Sequence, residues 1–210
     1  MRNQNEVKEI TRDYLKRSII PSDDSQLVKA YQLCDKLYRD ILDTVSGFVS
    51  ATGDDVKVAE KLSAVSADLA GTTYIHTGLE HQRYIAIYTA CIVYADDIGS
   101  RHIDALAQFS RRFVTGEKQL SPGLEVLVGL LKQSYTLWPE VGADCIISST
   151  LAGMTSMHLE FTMKNMVVTP KATRWPDYFR DKTGFASAYA HFNFAKGWRS
   201  TPDSYMQLSP

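Results

Sequence analysis

The chain has 210 residues, of which 44% are hydrophobic and 22% charged, a balance that excludes a disordered chain and gives no sign of a fibrous one. Lys and Arg number 23 against 24 Asp and Glu, so the net charge of −1 lacks the basic footprint of a nucleic-acid binder. The length suits one domain spanning residues 1–210, with a core that needs no disulfides.

Cys34, Cys91 and Cys145 are far apart and form no C-x-x-C, which reads as reduced thiols in a cytoplasmic protein. Residues 1–6 are polar and carry no apolar signal core. The longest near-continuous apolar run, Tyr84 to Ala95, is too short for a membrane span and reads as a buried helix, so no membrane insertion is expected.

The elements follow one another as helices. A short helix is expected over 6–19, ended by Pro21. Over 25–51, Leu27, Tyr31, Cys34, Leu37, Ile41 and Val45 recur at spacings of three and four, a helical stripe. Gly53 and the Asp54–Asp55 pair mark a break, and 55–70 continues with Val58, Leu62, Val65 and Leu69 on one face. Thr77-Gly-Leu-Glu80 has the form of a capping box and starts a helix that runs to about Asp97. A less regular helix is expected over 102–114. Ser121-Pro122 reads as an N-cap followed by proline, opening a helix to about Tyr135. A long apolar helix over 139–166 is ended by Pro170, and Trp175-Pro176 opens a last segment to Phe194. No stretch alternates with period two, so the predicted fold is all-α, with helices packed around a shared interior.

Three features carry chemistry. Asp96 and Asp97 end the apolar helix, and two adjacent carboxylates there repel each other and resist desolvation. A divalent cation relieves both costs, and Mg²⁺ suits one or two carboxylates that share it with substrate phosphates. Helical spacing sets Asp96 on one stripe with Thr89, Ile92 and Val93, so a metal there would stand above an apolar pocket. The alternative is a helix end with two hydrated acids. The second feature is Trp175-Pro-Asp-Tyr-Phe-Arg-Asp-Lys-Thr-Gly184, where Arg180 offers a planar fork to phosphate oxygens among aromatics. Gly184, on the same face, permits a helix break and close ligand approach. The alternative is a surface arginine paired with Asp177 or Asp181. The third feature is the set of helical aromatics, Tyr84, Tyr88, Tyr94, Phe161, Tyr189, Phe192 and Phe194, which either face a cation or fill the core. No dinucleotide-binding, Walker A, nucleophile-elbow or H-E-x-x-H pattern is present.

Taken in order, these elements resemble the class I terpene cyclases, and among them the trichodiene synthase family of fungi. The resemblance runs from about Tyr31 to Gln207. It rests on Tyr94-Ala-Asp-Asp-Ile98, the Trp175–Gly184 segment, Ala188-Tyr-Ala-His-Phe-Asn-Phe194 and Pro202-Asp-Ser-Tyr-Met-Gln207. It implies the isoprenoid synthase helical bundle around a deep apolar pocket, with three Mg²⁺ ions holding the diphosphate of a prenyl substrate, farnesyl diphosphate, at the mouth. Loss of the diphosphate then leaves an allylic cation that the pocket steers through cyclisation. On this mapping Asp96 is the principal metal ligand and Asp97 its neighbour. Arg180 senses the diphosphate with Lys182 beside it, and Gly184 lies in the helix break. Thr89, Ile92, Val93, Phe185 and Tyr189 are the expected pocket wall. A homodimer is compatible with the resemblance.

Two departures stand out. Ser100 occupies the position where the family's first motif carries a further acid. The second metal motif, of the Asn-Asp-x-x-Ser-x-x-x-Glu type, is expected after Gln207, and the chain stops at Pro210 before it. The chain is therefore expected to represent the N-terminal two-thirds of such a fold, with apolar helix faces left open. A non-catalytic helical module that binds diphosphate or a protein partner is the competing expectation.

Overall fold

A computed structural model describes residues 24–163 and 165–197. The helix expected over 6–19 and the Pro202–Gln207 segment lie outside them. The described residues form eight helices and no strand: α1 (Asp24–Ser50), α2 (Val56–Thr73), α3 (Leu79–Ile98), α4 (Ile103–Thr115), α5 (Pro122–Leu137), α6 (Glu140–Thr162), α7 (Trp175–Thr183) and α8 (Ala186–His191). The fold is all-α, as the periodicity requires.

Helix starts follow local chemistry. Asp55 caps α2 by accepting from Lys57 N–H at 3.0 Å. Ser121 is the N-cap of α5 with Pro122 following, as expected, although its hydroxyl makes no capping bond. The capping box at Thr77 does not form. Gly78 is the N-cap of α3, and the Thr77 hydroxyl turns back to donate to the Tyr74 carbonyl at 2.8 Å. Gln82 donates to the Tyr74 and Thr77 carbonyls, both at 3.1 Å, so the preceding turn is held from inside the helix instead.

Two boundaries differ from the sequence reading. Helix α6 ends at Thr162, well short of 166. The β-branched run Val167-Val-Thr169 disfavours helix, and Pro170 pushes its predecessor toward extended backbone. The last predicted segment splits in two. Gly184 keeps right-handed helical angles, and Phe185 takes the left-handed conformation at φ 50°. A phenylalanine adopts this only when its surroundings fix it. Here its buried ring lies on Gly153 of α6, where no Cβ could fit.

Helix α3 is the axis of the bundle. It packs against α1, α2 and α5, while α6 packs on α4, α5, α7 and α8. From Tyr84 to Ala95 every α3 residue except Val93 is buried, which explains why its apolar residues circle the whole helix. Tyr88 and Thr150 join α3 to α6 through a buried hydroxyl pair at 2.8 Å. Tyr84, Tyr88, Trp138 and Phe192 form a ring cluster with centroids 4.7–6.4 Å apart. Trp138 closes it by donating from Nε1 to the Phe192 carbonyl at 3.3 Å. Helix α7 contributes no buried residue and sits against α6 at the edge of the bundle. No helix among the described residues is long and apolar enough to cross a membrane.

Candidate functional site at the end of α3

The burial of α3 ends abruptly at its last turn, where Asp96 and Asp97 are exposed. Asp96 opens on a cleft of about 490 Å³. Its other walls are Leu159, Glu160 and Phe161 from the end of α6, Met163, Met166 and Val168 from the following turn, and Trp175 and Phe179 from α7. One end is thus carboxylate and the rest largely apolar and aromatic. Trp175 stacks on Phe179 with centroids 5.6 Å apart and planes 19° from parallel. Met163, Met166 and Val168, which line the cleft, are themselves exposed and give it an apolar surface toward solvent.

The electrostatics of Asp96 follow from this position. Partial desolvation raises its carboxyl, and the neighbouring Asp97 raises it further. Its residue surface remains accessible, so the carboxylate can reach a ligand. Gly99 lets the wall close behind it. A Cβ there would stand 2.3 Å from Phe161 Cε2 and 2.9 Å from Leu106 Cδ1. Of the α6 residues here, Phe161 belongs to the helical aromatics that the sequence offered for a cation or the core, whereas sequence reasoning missed Glu160. Glu160 sits in no motif, and it reaches the cleft because α6 ends at Thr162.

The other expected site residues are distributed as follows. Arg180 is exposed on α7 beside Phe179 and makes no ion pair with the described residues. Lys182 faces away from Asp96, in a separate cleft with Ser148, Ser149, Asp181 and Ser187, and lies 3.6 Å from Asp181. Thr89 is buried and accepts from Tyr189 Oη at 3.1 Å. Ile92 is also buried and Val93 half-buried, and Phe185 is packed on Gly153. None of Thr89, Ile92, Val93, Gly184, Phe185 and Tyr189 lines the Asp96 cleft. Ile92 and Phe185 belong to the core, Val93 and Tyr189 pack against it, and Gly184 is a half-buried helix end; Tyr189 meets Tyr88 and Phe192 edge to face. The structure therefore brings Asp96 together with Trp175 and Phe179, not with the stripe below it.

The donor set also limits what metal this site can hold. No group of three His, Cys, Asp or Glu side chains among the described residues is placed to hold an ion. Asp96 and Glu160, the two carboxylates that line the cleft, instead suit a hard cation that takes most of its shell from phosphate oxygens and water. Such a cation fits here as a shared ion and not as one caged by protein.

Among the described residues, the arrangement is an all-helical bundle with Asp96 at one end of an aromatic-walled cleft. No family model matches the chain. It is 29% identical over 219 residues to alpha-cuprenene synthase COP6 of Coprinopsis cinerea, covering 99% of this chain and 62% of that protein. It is 29% identical over 154 residues to terpene synthase BipA of Cochliobolus sativus, covering 72% and 47% respectively. Longiborneol synthase CLM1 of Gibberella zeae is 28% identical over 168 residues, covering 74% and 48%. The relatives are fungal terpene synthases, and the similarity supports that class without singling out the trichodiene synthase family. The chain spans less than two thirds of the length of each.

Proposed function

We propose that this chain carries the diphosphate-binding end of a terpene cyclase acting on a prenyl diphosphate, farnesyl diphosphate by the family resemblance. The observation that carries the reading is Asp96, a raised carboxyl at the end of the most buried helix, opening on an aromatic-walled cleft. The relatives' names support the same reaction class.

Asp96 would hold Mg²⁺ together with the substrate diphosphate, with Asp97 adjacent and Glu160 across the cleft. When bound, Mg²⁺ neutralises the leaving diphosphate. Arg180, exposed on α7 next in sequence to the cleft-lining Phe179, would supply fixed positive charge as negative charge develops on breaking the carbon–oxygen bond. Trp175, Phe179 and Phe161 offer ring faces to an allylic cation, each worth ~0.5–2 kcal/mol. The methionines and Val168 exclude water that would quench it. Lys182 reaches a diphosphate only if α7 turns on its junction with α8.

A diphosphate-binding module without turnover is favoured by one observation, the absence of a three-residue metal-ligand group among the described residues. One assay separates the two. The purified protein is incubated with Mg²⁺ and farnesyl diphosphate, binding is followed by calorimetry, and hydrocarbon is followed by gas chromatography. Binding and product that are both lost in Asp96→Asn support the cyclase. Binding without product supports the module. No binding by folded protein sinks both.

A further inference from the structure

Arg101 is the basic residue nearest in sequence to the acidic pair, four positions beyond Asp97. On an uninterrupted helix that spacing would set its guanidinium beside the Asp97 carboxylate. The helix stops instead. Helix α3 ends at Ile98, and His102 N–H donates to the Gly99 carbonyl at 3.2 Å, closing a turn. Arg101 Nη2 then donates to Asp54 Oδ1 at 2.9 Å.

Asp54 is built to receive it. Its other oxygen accepts from Tyr94 Oη at 2.6 Å and from Thr52 Oγ1 at 2.9 Å. Thr52 and Tyr94 also touch through their hydroxyls, and the Val49 carbonyl, 2.7 Å from Thr52 Oγ1, shares with Asp54 the single Thr52 hydroxyl proton. The loop between α1 and α2 is thereby tied to α3 two residues before Asp96. The Asp54 side chain is 13% exposed and that of Arg101 is 57% exposed. One end of the pair is fixed, and the other is a long cation with room to move.

We infer that Asp54 is a positioning residue that holds the Arg101 guanidinium away from Asp96 and Asp97, leaving that pair free for a divalent cation. The inference rests on the cation role proposed above and extends it to residues outside the cleft. A tethered guanidinium released from Asp54 would compete for the carboxylates at an effective concentration in the ~mM range. Asp54 carries no metal in this account. It removes an internal competitor.

The test uses the 210-residue protein with Mn²⁺ as a spectroscopic stand-in for Mg²⁺, in the presence of inorganic diphosphate. Paramagnetic resonance counts free Mn²⁺. Wild type is expected to bind in a manner lost in Asp96→Asn. Asp54→Asn is expected to weaken binding about tenfold, while Arg101→Gln stays within about twofold of wild type. The double variant Asp54→Asn/Arg101→Gln is expected to recover to within about threefold, because the competitor is gone. A purely structural role for Asp54 predicts no such rescue, so a double variant as weak as Asp54→Asn overturns the inference alone. Wild-type affinity in Asp54→Asn overturns it too. Failure of wild type to show Asp96-dependent binding overturns the cation role itself and this inference with it. If Asp54→Asn does not fold, Ser100→Arg places an untethered guanidinium beside the same acids. Weakened Mn²⁺ binding supports the competition, and unchanged binding refutes it.

Discussion

The ring of Phe185 occupies the space that a side chain at Gly153 would need: a Cβ there would lie 2.3 Å from Phe185 Cε1 and 2.6 Å from Cδ1. The contact joins the α7–α8 junction to α6 and accounts for the left-handed backbone of a residue that rarely adopts it. Gly153→Ala is therefore expected to destabilise the fold by about 1–3 kcal/mol through overpacking. Urea unfolding would show this as a lower midpoint at unchanged slope. A midpoint equal to wild type would mean that the junction gives way freely.

Gly99 and Phe161 make a second close approach, this time at the cleft wall. Gly99→Ala drives its methyl toward Phe161 Cε2, Leu106 Cδ1 and the Ala95 carbonyl, and the backbone oxygen cannot swing aside. A loss of about 1–3 kcal/mol is expected, together with displacement of Phe161 into the cleft. The check is the emission of Trp175, in a protein whose Trp138 and Trp198 are both replaced by Phe, on titration with a prenyl diphosphate. The response should shrink in the Gly99→Ala variant.

Asp96 sets a trade between stability and binding. Its folded carboxyl is raised by burial and by Asp97, so the charged form is disfavoured in the native state. Stability therefore rises as pH falls through that raised value and is lower above it. Asp96→Asn should raise the melting temperature at neutral pH while abolishing cation binding. In wild type, cation affinity should begin to fall at a higher pH than an ordinary aspartate would dictate. Calorimetric titrations across pH 4–7 would show it.

Asp54 behaves oppositely. Hydrogen bonds from Tyr94 and Arg101 lower its carboxyl to about 2, well below the ordinary 3.8. A depressed acid contributes stability above its unfolded value and loses it as pH falls through the folded one. The melting temperatures of wild type and Asp54→Asn should differ most above about pH 4 and converge toward pH 2. The same exchange should lower the neighbouring phenol, since Asp54 helps burial push Tyr94 up to about 12. A spectrophotometric titration of Tyr94 in Asp54→Asn would reveal this.

Most of the bundle was legible in the sequence because helical periodicity reports burial directly. The stripe Leu37, Ile41 and Val45 lies fully buried, and the all-round apolar character of Tyr84 to Ala95 marks the central helix. Asp96 was legible for the same reason, as a charge placed where an apolar run stops. The cleft around it was not. Which residues face it depends on where α6 ends and how α7 lies on it, and both are tertiary outcomes. Glu160 gave no local signal, and Phe161 gave only that of one aromatic among several on helical segments. Thr89 shares a helical stripe with Asp96, yet its hydroxyl is taken up by Tyr189, a residue one hundred positions away. Periodicity identifies a face and does not say whether a cavity or a neighbouring helix meets it.

The burial of α3 has a consequence for how the molecule breathes. Amides in a segment enclosed on all sides exchange with solvent only when the whole fold opens, whereas those of a peripheral helix exchange through small local openings. Deuterium uptake should therefore be slowest between Tyr84 and Ala95 and much faster across Trp175–Thr183, where no residue is buried. The two sides of the cleft then keep different time. Among the described helices the carboxylate is carried by the one expected to open most slowly, and Trp175 and Phe179 facing it by one expected to open readily. A ligand entering here would find its charged end received by a still surface and its hydrocarbon end by one that adjusts.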